Sequence, residues 1–439
     1  MSPTTASPYR DVAEAAWRWV LGEVRYDDAG PWIPAAATDG PVEPTWDRDG
    51  LHSGIGGLAH VLAEIRACRP WTEPEEALAA AIAERVRSQV ATQTDATYFD
   101  GLVSTIGVLV ALDEPGVEPA VARLVELVTP DGWPQTTIAG PRYVDGARVN
   151  DLTLGTAGVL VGALWARRHG VDAADELVGI AADVLLAEAE PTPTGTNWSF
   201  VPQRFVAEPP AGQMPNLSHG LAGIAAALAA AGIETGRPDL VQAATSGAEH
   251  LVTLADPEAD GFVVPRTIPP APDMDEVTYT WCHGPTGTSL LFRALERGGV
   301  GQVAGAGPSE WHRQCLHAVR TSGLPARRWP GFWDNDGRCC GTAGVGDVFL
   351  GSWHRSGDPD DLAFALELAD TLVERAIHDG DGASWRFIEH RKDDPLLPPG
   401  VGWMQGAAGI AAYLFHVSRV AEHGAAARPI ARMDTWWAL

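Results

Sequence analysis

Three cysteines stand beside two successive copies of a short glycine motif. Cys282 lies two residues before Gly284. Cys339 and Cys340 come directly before Gly341. Cysteine is a preferred ligand of Zn²⁺, and three protein ligands with one exchangeable position are typical of a catalytic zinc site. If the two copies are neighbours in space, the pattern predicts a Zn²⁺ site formed by the three sulfurs, with buried thiols or a disulfide as the alternatives.

Two histidines and an aspartate precede the same kind of motif. His219 and His283 each come directly before a motif glycine, and Asp151 lies four residues before Gly155. Imidazole exchanges protons near neutral pH, so both histidines are candidate proton donors. A structural hydrogen bond is the alternative role for each. Asp151 is predicted either to orient a histidine or to cap the helix that follows it.

The glycine motif recurs seven times at intervals of about 50 to 65 residues. Six copies read Gly-x-x-Gly, and in one copy serine replaces the first glycine. The copies are Gly54–Gly57, Ser104–Gly107, Gly155–Gly158, Gly220–Gly223, Gly284–Gly287, Gly341–Gly344 and Gly406–Gly409. A motif that returns at such intervals indicates a repeat architecture, in which equivalent positions of adjacent repeats lie close together.

Segments with helical periodicity alternate with the motifs and predict two rings of helices. The apolar segments after the motifs, expected to be inner helices, are Leu58–Cys68, Val108–Leu112, Val159–Arg168, Ile224–Ala231, Thr288–Arg297, Val345–Arg355 and Ile410–Val420. The outer helices are predicted over Tyr9–Val24, Glu75–Gln93, Val117–Val128, Asp172–Glu190, Asp239–Leu254, Glu310–Ser322 and Asp360–Ile377. Seven of each predict an all-α (α/α)7 toroid forming one domain over residues 1–439. The glycines are expected to permit close backbone approach and to leave free N–H groups near the axis.

Composition excludes some classes of partner. The net charge of −26 argues against sequence-independent binding to nucleic acid, which needs a cationic surface. The first ten residues lack the apolar core of a secretory signal, and no apolar run approaches the ~18 residues of a membrane span. We therefore expect a cytoplasmic protein with neither a nucleic-acid partner nor a membrane span. In that compartment, clustered cysteines bind metals or act in catalysis more often than they form disulfides.

The chain resembles the lanthipeptide cyclase family (LanC and LanC-like proteins) over essentially its full length. The resemblance rests on the seven motifs together with Ser218–Gly220, Trp281–Gly284 and Cys339–Gly341. It implies an (α/α)7 barrel that holds zinc at one end and adds peptide cysteine thiolates to dehydroalanine or dehydrobutyrine, forming thioether rings.

The resemblance also implies roles for individual residues. It assigns the zinc ligands to Cys282, Cys339 and Cys340, in a three-cysteine variant of a site that has Cys-His at the last two positions in many members. It matches His219 to the family's catalytic histidine and Asp151 to an acidic residue of the site. His283 takes a place that is tyrosine in many bacterial cyclases and histidine in others. Coordination to zinc ionises a thiol, and histidine is the natural donor of the proton that the resulting enolate requires.

Three functions are compatible with these residues. The first is cyclisation, in trans, of a dehydrated precursor peptide. The chain contains no recognisable kinase or lyase segment, so a separate dehydratase or other biosynthetic enzyme is expected to supply that peptide. The second is addition of glutathione or another small thiol to dehydroamino acids. The third is a non-catalytic, zinc-containing toroid that binds a peptide or a partner enzyme.

Overall fold

The structure is a computed structural model that describes residues 7–38, 40–135, 138, 140–208, 212–272, 274–326, 335–389 and 393–439. Fourteen α-helices lie in this part of the chain. In order they are α1 (Pro8–Glu23), α2 (Leu58–Cys68), α3 (Glu73–Gln89), α4 (Leu102–Leu112), α5 (Val117–Leu127), α6 (Thr156–Arg168), α7 (Ala174–Ala187), α8 (Leu221–Thr235), α9 (Pro238–Thr253), α10 (Pro285–Arg297), α11 (Pro308–Thr321), α12 (Thr342–Ser356), α13 (Pro359–Arg375) and α14 (Ala407–His423). Even-numbered helices form the inner ring, and odd-numbered helices form the outer ring.

The ring closes by pairing the two ends of the chain. Each inner helix packs against the outer helix that follows it, and α14 packs against α1 in the same way. Inner helices are buried on nearly all sides: α8 buries every residue from Leu221 to Gly232, whereas α9 buries one face only. The predicted all-α (α/α)7 toroid is therefore confirmed. Within the described ranges, no helix is long and apolar enough to cross a membrane.

Short β-hairpins and 3₁₀ turns decorate the loops without changing the class. The antiparallel pairs are β1 (Arg25–Asp27) with β2 (Gly30–Trp32), β3 (Glu190–Thr192) with β4 (Gly195–Asn197), β5 (Ile377–Asp379) with β6 (Gly382–Ser384), and β7 (Arg386–Ile388) with β8 (Leu396–Pro399). The 3₁₀ turns are Ile55–Gly57, Gln203–Phe205, Gly424–Ala426 and Trp436–Ala438. The first three hairpins follow outer helices and turn the chain back towards the ring.

The first glycine of the motif is the N-cap of an inner helix. This holds directly for five copies: Gly155, Gly220, Gly284, Gly341 and Gly406. In the first copy, the 3₁₀ turn that starts after Gly54 comes before α2. In the second copy the N-cap is Gly101, so the prediction that placed the motif at Ser104–Gly107 was wrong by three residues. The helix predicted over Val108–Leu112 accordingly begins six residues earlier, because the apolar run continues back to the cap.

The motif glycines are required because a side chain at these positions would clash with the backbone of the preceding loop. A Cβ atom on Gly220 would lie 1.6 Å from the carbonyl oxygen of Met214. A Cβ atom on Gly223, the second glycine of the same motif, would lie 2.0 Å from the carbonyl oxygen of Leu217. The loop before each inner helix therefore folds flat against the first helical turn, and only glycine leaves room for it.

This close approach satisfies the first N–H groups of the inner helices. In α6, the backbone N–H of Thr156 donates to Val149 and that of Ala157 donates to Asn150, at 2.9 and 3.1 Å. The same pattern recurs in α12 and α14. The expectation of free N–H groups near the axis was thus wrong, because loop carbonyls accept them. We call the end of the barrel at these caps the mouth.

The opposite end, which we call the closed end, is filled by the C-terminal segment 427–439. Met433, Trp436 and Trp437 are buried there, and the last turn packs against α10. Charged side chains that are less than a tenth exposed form a network, which we call the closed-end network, that extends from these residues through the barrel to Arg338, directly before Cys339. Its members are Glu64, Arg338, Asp347, His416, Arg419 and Arg432. Every ion pair in it joins residues from different elements.

Candidate functional site

A cavity of about 610 Å³ opens at the mouth. Its wall consists largely of the two residues before each cap glycine. Those that line it are His52 and Ser53, Phe99 and Asp100, Thr153 and Leu154, Ser218 and His219, Cys282 and His283, Cys339 and Cys340, and Gln405. Because each repeat presents the same two positions, residues from all seven repeats meet around one space.

A ring of backbone hydrogen bonds holds these positions together. At six of the seven junctions between repeats, a backbone N–H donates to the carbonyl oxygen of the residue two before the next cap glycine. The pairs are Leu51 to Phe99, Tyr98 to Thr153, Ser218 to Cys282, Cys282 to Cys339, Cys339 to Met404, and Met404 to His52. At the junction of the third and fourth repeats, where both segments are described, side chains make the connection instead.

The predicted cysteines converge. The Sγ atoms of Cys282 and Cys340 lie 3.4 Å apart, those of Cys339 and Cys340 lie 3.3 Å apart, and all three lie within 4.8 Å of one another. These separations far exceed the ~2.05 Å of a disulfide bond. Cys282 and Cys340 are buried, and the Thr280 hydroxyl lies 3.4 Å from the Cys282 sulfur.

The sulfur triangle fits a tetrahedral zinc ion. With Zn–S bonds of about 2.3 Å, neighbouring sulfurs of a tetrahedral site are separated by about 3.8 Å, so small side-chain movements would complete the geometry. Hydrogen bonds from the Cys339 and Cys340 thiols hold the pKa of Cys282 well below its usual range. Three thiolates this close repel one another, and a divalent cation would offset that repulsion. Three ligands leave the fourth position open to a substrate.

His219 is held by the carboxylate of Asp151. Its Nδ1 atom lies 2.7 Å from Oδ2 of Asp151 and 2.9 Å from the Thr153 hydroxyl, which itself donates to the same carboxylate oxygen. Asp151 is fully buried, and its Oδ1 accepts the N–H of Leu154. This geometry corresponds to the histidine-orienting role; the cap of α6 is Gly155. With Nδ1 engaged, Nε2 is the remaining nitrogen of a ring that lines the cavity.

His283 lies beside His219 but in a different environment. The ring centroids are 5.5 Å apart, and His283 is only 9% exposed. Its Nδ1 has no hydrogen-bond partner among the described residues. Burial removes the ring from water and lowers the pKa of His283 to about 4.

The sequence analysis missed the residues contributed by the first two repeats. His52 and Asp100 line the same cavity, and Asp47 lies behind them, with its Oδ2 accepting the N–H of Ser53 at 2.8 Å. Burial lowers the pKa of His52. The signal was present: both lining residues stand one or two places before a cap glycine. Because the second motif was predicted at Ser104–Gly107, Asp100 was not recognised as the residue directly before a cap glycine, which is Gly101.

Solved structures that are similar to this chain share its fold at low sequence identity. Nisin cyclase has a TM-score of 0.60 at 14% identity, with 93% of each chain covered. The Lin0763 protein of Listeria innocua has a TM-score of 0.53 at 10% identity, covering 94% of this chain and 98% of that one. A sugar epimerase from a ruminal bacterium gives 0.50 at 10% identity, covering 93% and 97%. These likenesses establish the toroid and do not establish a shared activity.

The sequence itself identifies the family. The chain matches no curated protein. Residues 45–420, which include all seven motifs and the three cysteines, match the family described as lanthionine synthetase C-like protein. The resemblance inferred from the motifs is thereby confirmed, and the chain belongs to the lanthionine synthetase C-like family.

Proposed function

We propose that this protein is a zinc-dependent cyclase that adds cysteine thiolates of a ribosomally made peptide to its dehydroalanine or dehydrobutyrine residues. The observation that carries the proposal is the placement of three cysteine sulfurs and an aspartate-bound histidine on one cavity. Membership of the lanthionine synthetase C-like family and the fold shared with nisin cyclase support it.

The cysteine cluster would activate the nucleophile, which is a cysteine sulfur of the substrate peptide. Cys282, Cys339 and Cys340 would hold Zn²⁺, whose Lewis acidity would let a substrate thiol lose its proton to solvent and remain as the thiolate, which is the reactive form. The substrate sulfur then bonds to Cβ of the dehydro residue, and the electron pair of the double bond moves towards the adjacent carbonyl. An enolate results, and it must receive a proton at Cα.

His219 is our candidate for that proton transfer. The Asp151 carboxylate fixes the ring through Nδ1 and stabilises the positive charge that the ring carries before it gives up a proton. His283 lacks such a partner in the described structure, since its Nδ1 is buried and unpaired. We therefore assign the donor role to His219 and a role in shaping the cavity to His283.

The deciding experiment combines metal analysis with product analysis. Purified protein should contain about one Zn²⁺ per chain. Cys282→Ala should lose most of it, and Cys315→Ala, which changes a buried cysteine on the outer helix α11, should not. Retention of zinc by Cys282→Ala would contradict the site.

Product analysis separates the three compatible functions. Mass spectrometry of a synthetic peptide that carries one cysteine and one dehydroalanine should show a product of unchanged mass that no longer reacts with thiol reagents. If added glutathione is incorporated instead, addition of a small thiol is the activity. If neither product forms while zinc stays bound, a non-catalytic toroid is the better description.

A further inference from the structure

Opposite the cysteines, the mouth contains two acidic side chains that the proposed chemistry has not used. Asp100 stands directly before a cap glycine and lines the cavity, and Asp47 lies behind it, 5% exposed. The side chains of Asp100 and Asp47 hydrogen-bond to each other, and the Oδ1 atom of each is buried with no N–H or O–H donor among the described residues. Two carboxyl groups in contact cannot both ionise readily, so they share a proton, and Asp100 is the member of the pair that lines the cavity, where a substrate could accept a hydrogen bond from it.

Asp100 lines the same cavity as the three cysteines and His219. The preceding residue, Phe99, contacts Trp281 with ring centroids 6.2 Å apart, and Trp281 directly precedes Cys282. His52 packs edge-on against Phe99 at 5.6 Å. The second repeat is thus brought close to the fifth, and a peptide unit bound at the cysteines would fill the space between them and Asp100.

The surroundings of Asp100 favour a neutral carboxyl group. Burial, the nearby carboxylates of Asp47 and Asp95 and a hydrogen bond with Asp47 together raise the pKa of Asp100 to about 8. His52 also lies on this side of the cavity, and burial lowers its pKa. A carboxylic acid that stays protonated at neutral pH can donate a hydrogen bond to a developing oxyanion.

We propose that Asp100 is a further catalytic residue, which donates a hydrogen bond to the substrate carbonyl oxygen as negative charge develops there. The inference rests on the proposed function. When the substrate sulfur bonds to Cβ, the double-bond pair passes to the carbonyl oxygen. The Asp100 hydroxyl stabilises that oxygen without giving up its proton, and the proton at Cα comes from His219. Asp100 therefore returns unchanged at the end of the cycle.

Substitution separates a hydrogen-bond donor from a charged carboxylate. With the cysteine–dehydroalanine peptide as the probe and zinc-loaded protein, Asp100→Asn keeps a donor and should remain close to the wild-type rate. Asp100→Leu should lower kcat by about 10²-fold, as expected for the loss of one oxyanion donor, with unchanged zinc content. Glu118→Gln, on the exposed face of α5, removes one charge far from the cavity and is the control.

The pH profile adds a readout that a structural role would not move. Wild-type activity should fall as Asp100 ionises, and Asp47→Asn should shift that fall to lower pH by removing a neighbouring charge. Asp100→Asn should not show this fall in activity, because its side chain does not ionise. An activity loss in Asp100→Asn as large as that in Asp100→Leu would overturn the proposal.

Infrared spectroscopy tests the same claim without turnover. The carbonyl band of a protonated carboxyl group should be present in the wild-type protein at pH 7 and missing in Asp100→Asn; its absence from the wild type would overturn the proposal. If the wild-type protein forms no thioether at all, the proposed function fails. Normal thioether formation by both Asp100 variants contradicts only the role of Asp100.

Discussion

The two ends of the barrel bury carboxyl groups in opposite ways. At the closed end, Asp347 is paired with Arg338 at 2.6 Å, with Arg432, and with His416 at 3.1 Å. Glu64 binds Arg419 at 2.6 Å. At the mouth, Asp47 and Asp100 hydrogen-bond to each other, and neither forms an ion pair within the described residues.

This difference separates structural from reactive groups. A buried charge costs several kcal/mol unless an opposite charge lies beside it, and both carboxylates of the closed-end network, Asp347 and Glu64, meet that condition. Burial alone would raise the pKa of Asp347, but Arg432 and Arg338 hold that pKa well below its usual range. The mouth tolerates unpaired groups, as expected where a substrate supplies the missing contacts.

The largest expected effect is at the mouth. His219→Asn should lower turnover by about 10²–10⁴-fold, because general acid catalysis is lost. The asparagine amide can still donate to Asp151 from a position near that of Nδ1, so zinc content and unfolding temperature should change little. The measurement is the rate of thioether formation at several pH values, with metal analysis of the same preparation.

The control for His219 is a histidine–aspartate pair on the outside. His317 on α11 lies 2.8 Å from Asp260, and both are exposed. His317→Asn should leave turnover unchanged. A rate for His219→Asn near that of the wild type would remove the residue from the mechanism.

The next largest effect is at the closed end. Asp347→Leu should lower the free energy of unfolding by about 3–5 kcal/mol, because it leaves Arg338 and Arg432 buried without their carboxylate. Urea denaturation measures it. Asp381→Ala, which breaks an exposed ion pair with Arg18, should cost no more than about 1 kcal/mol. If the two variants are equally stable, the closed-end network does not hold the fold.

The smallest effect is a difference in pH dependence. At the closed end, Glu75 accepts hydrogen bonds from Arg69 and from the Trp17 indole. Although burial opposes it, these contacts lower the pKa of Glu75 to about 2. The carboxylate therefore stabilises the fold above pH 4.5, and that contribution is lost as the pH falls towards 2. In Glu75→Gln, the loss of unfolding free energy between pH 4.5 and pH 2 should be smaller than in the wild type by about 2 kcal/mol at most.

Asp100 should show the opposite slope. Its pKa is raised from 3.8 to about 8, so the unfolded chain releases a proton that the folded protein retains. Stability should fall as the pH rises through that range, and Asp100→Asn should flatten the fall. Unfolding curves at several pH values measure both slopes. Parallel profiles for Glu75→Gln and Asp100→Asn would show that the two ends do not differ in this way.

Local patterns predicted most of the ring and half of the site. Helical periodicity placed the helices, and the cap glycines placed Cys282, Cys339, Cys340 and His219, since a repeat brings equivalent positions together. The second repeat failed because Ser104 and Gly107 have the same spacing as the motif and lie inside a continuously apolar helix, which offers no polar boundary. The closed-end network was unpredictable, because Arg432 and Asp347 are distant in sequence and share no pattern.

The backbone ring at the mouth has a consequence for how such a protein diversifies. Backbone hydrogen bonds, which do not depend on the side chain, connect adjacent repeats at six of the seven junctions. The side chains before the cap glycines are therefore not needed to hold the repeats together there. A substitution at one of these positions changes the chemistry of the cavity wall without removing a contact between repeats. The junction joined by Asp151 and His219 is the exception, because these side chains connect the repeats and are also the pair to which we assign proton transfer. Most residues before the cap glycines can therefore change one at a time, whereas Asp151 and His219 have to be kept together.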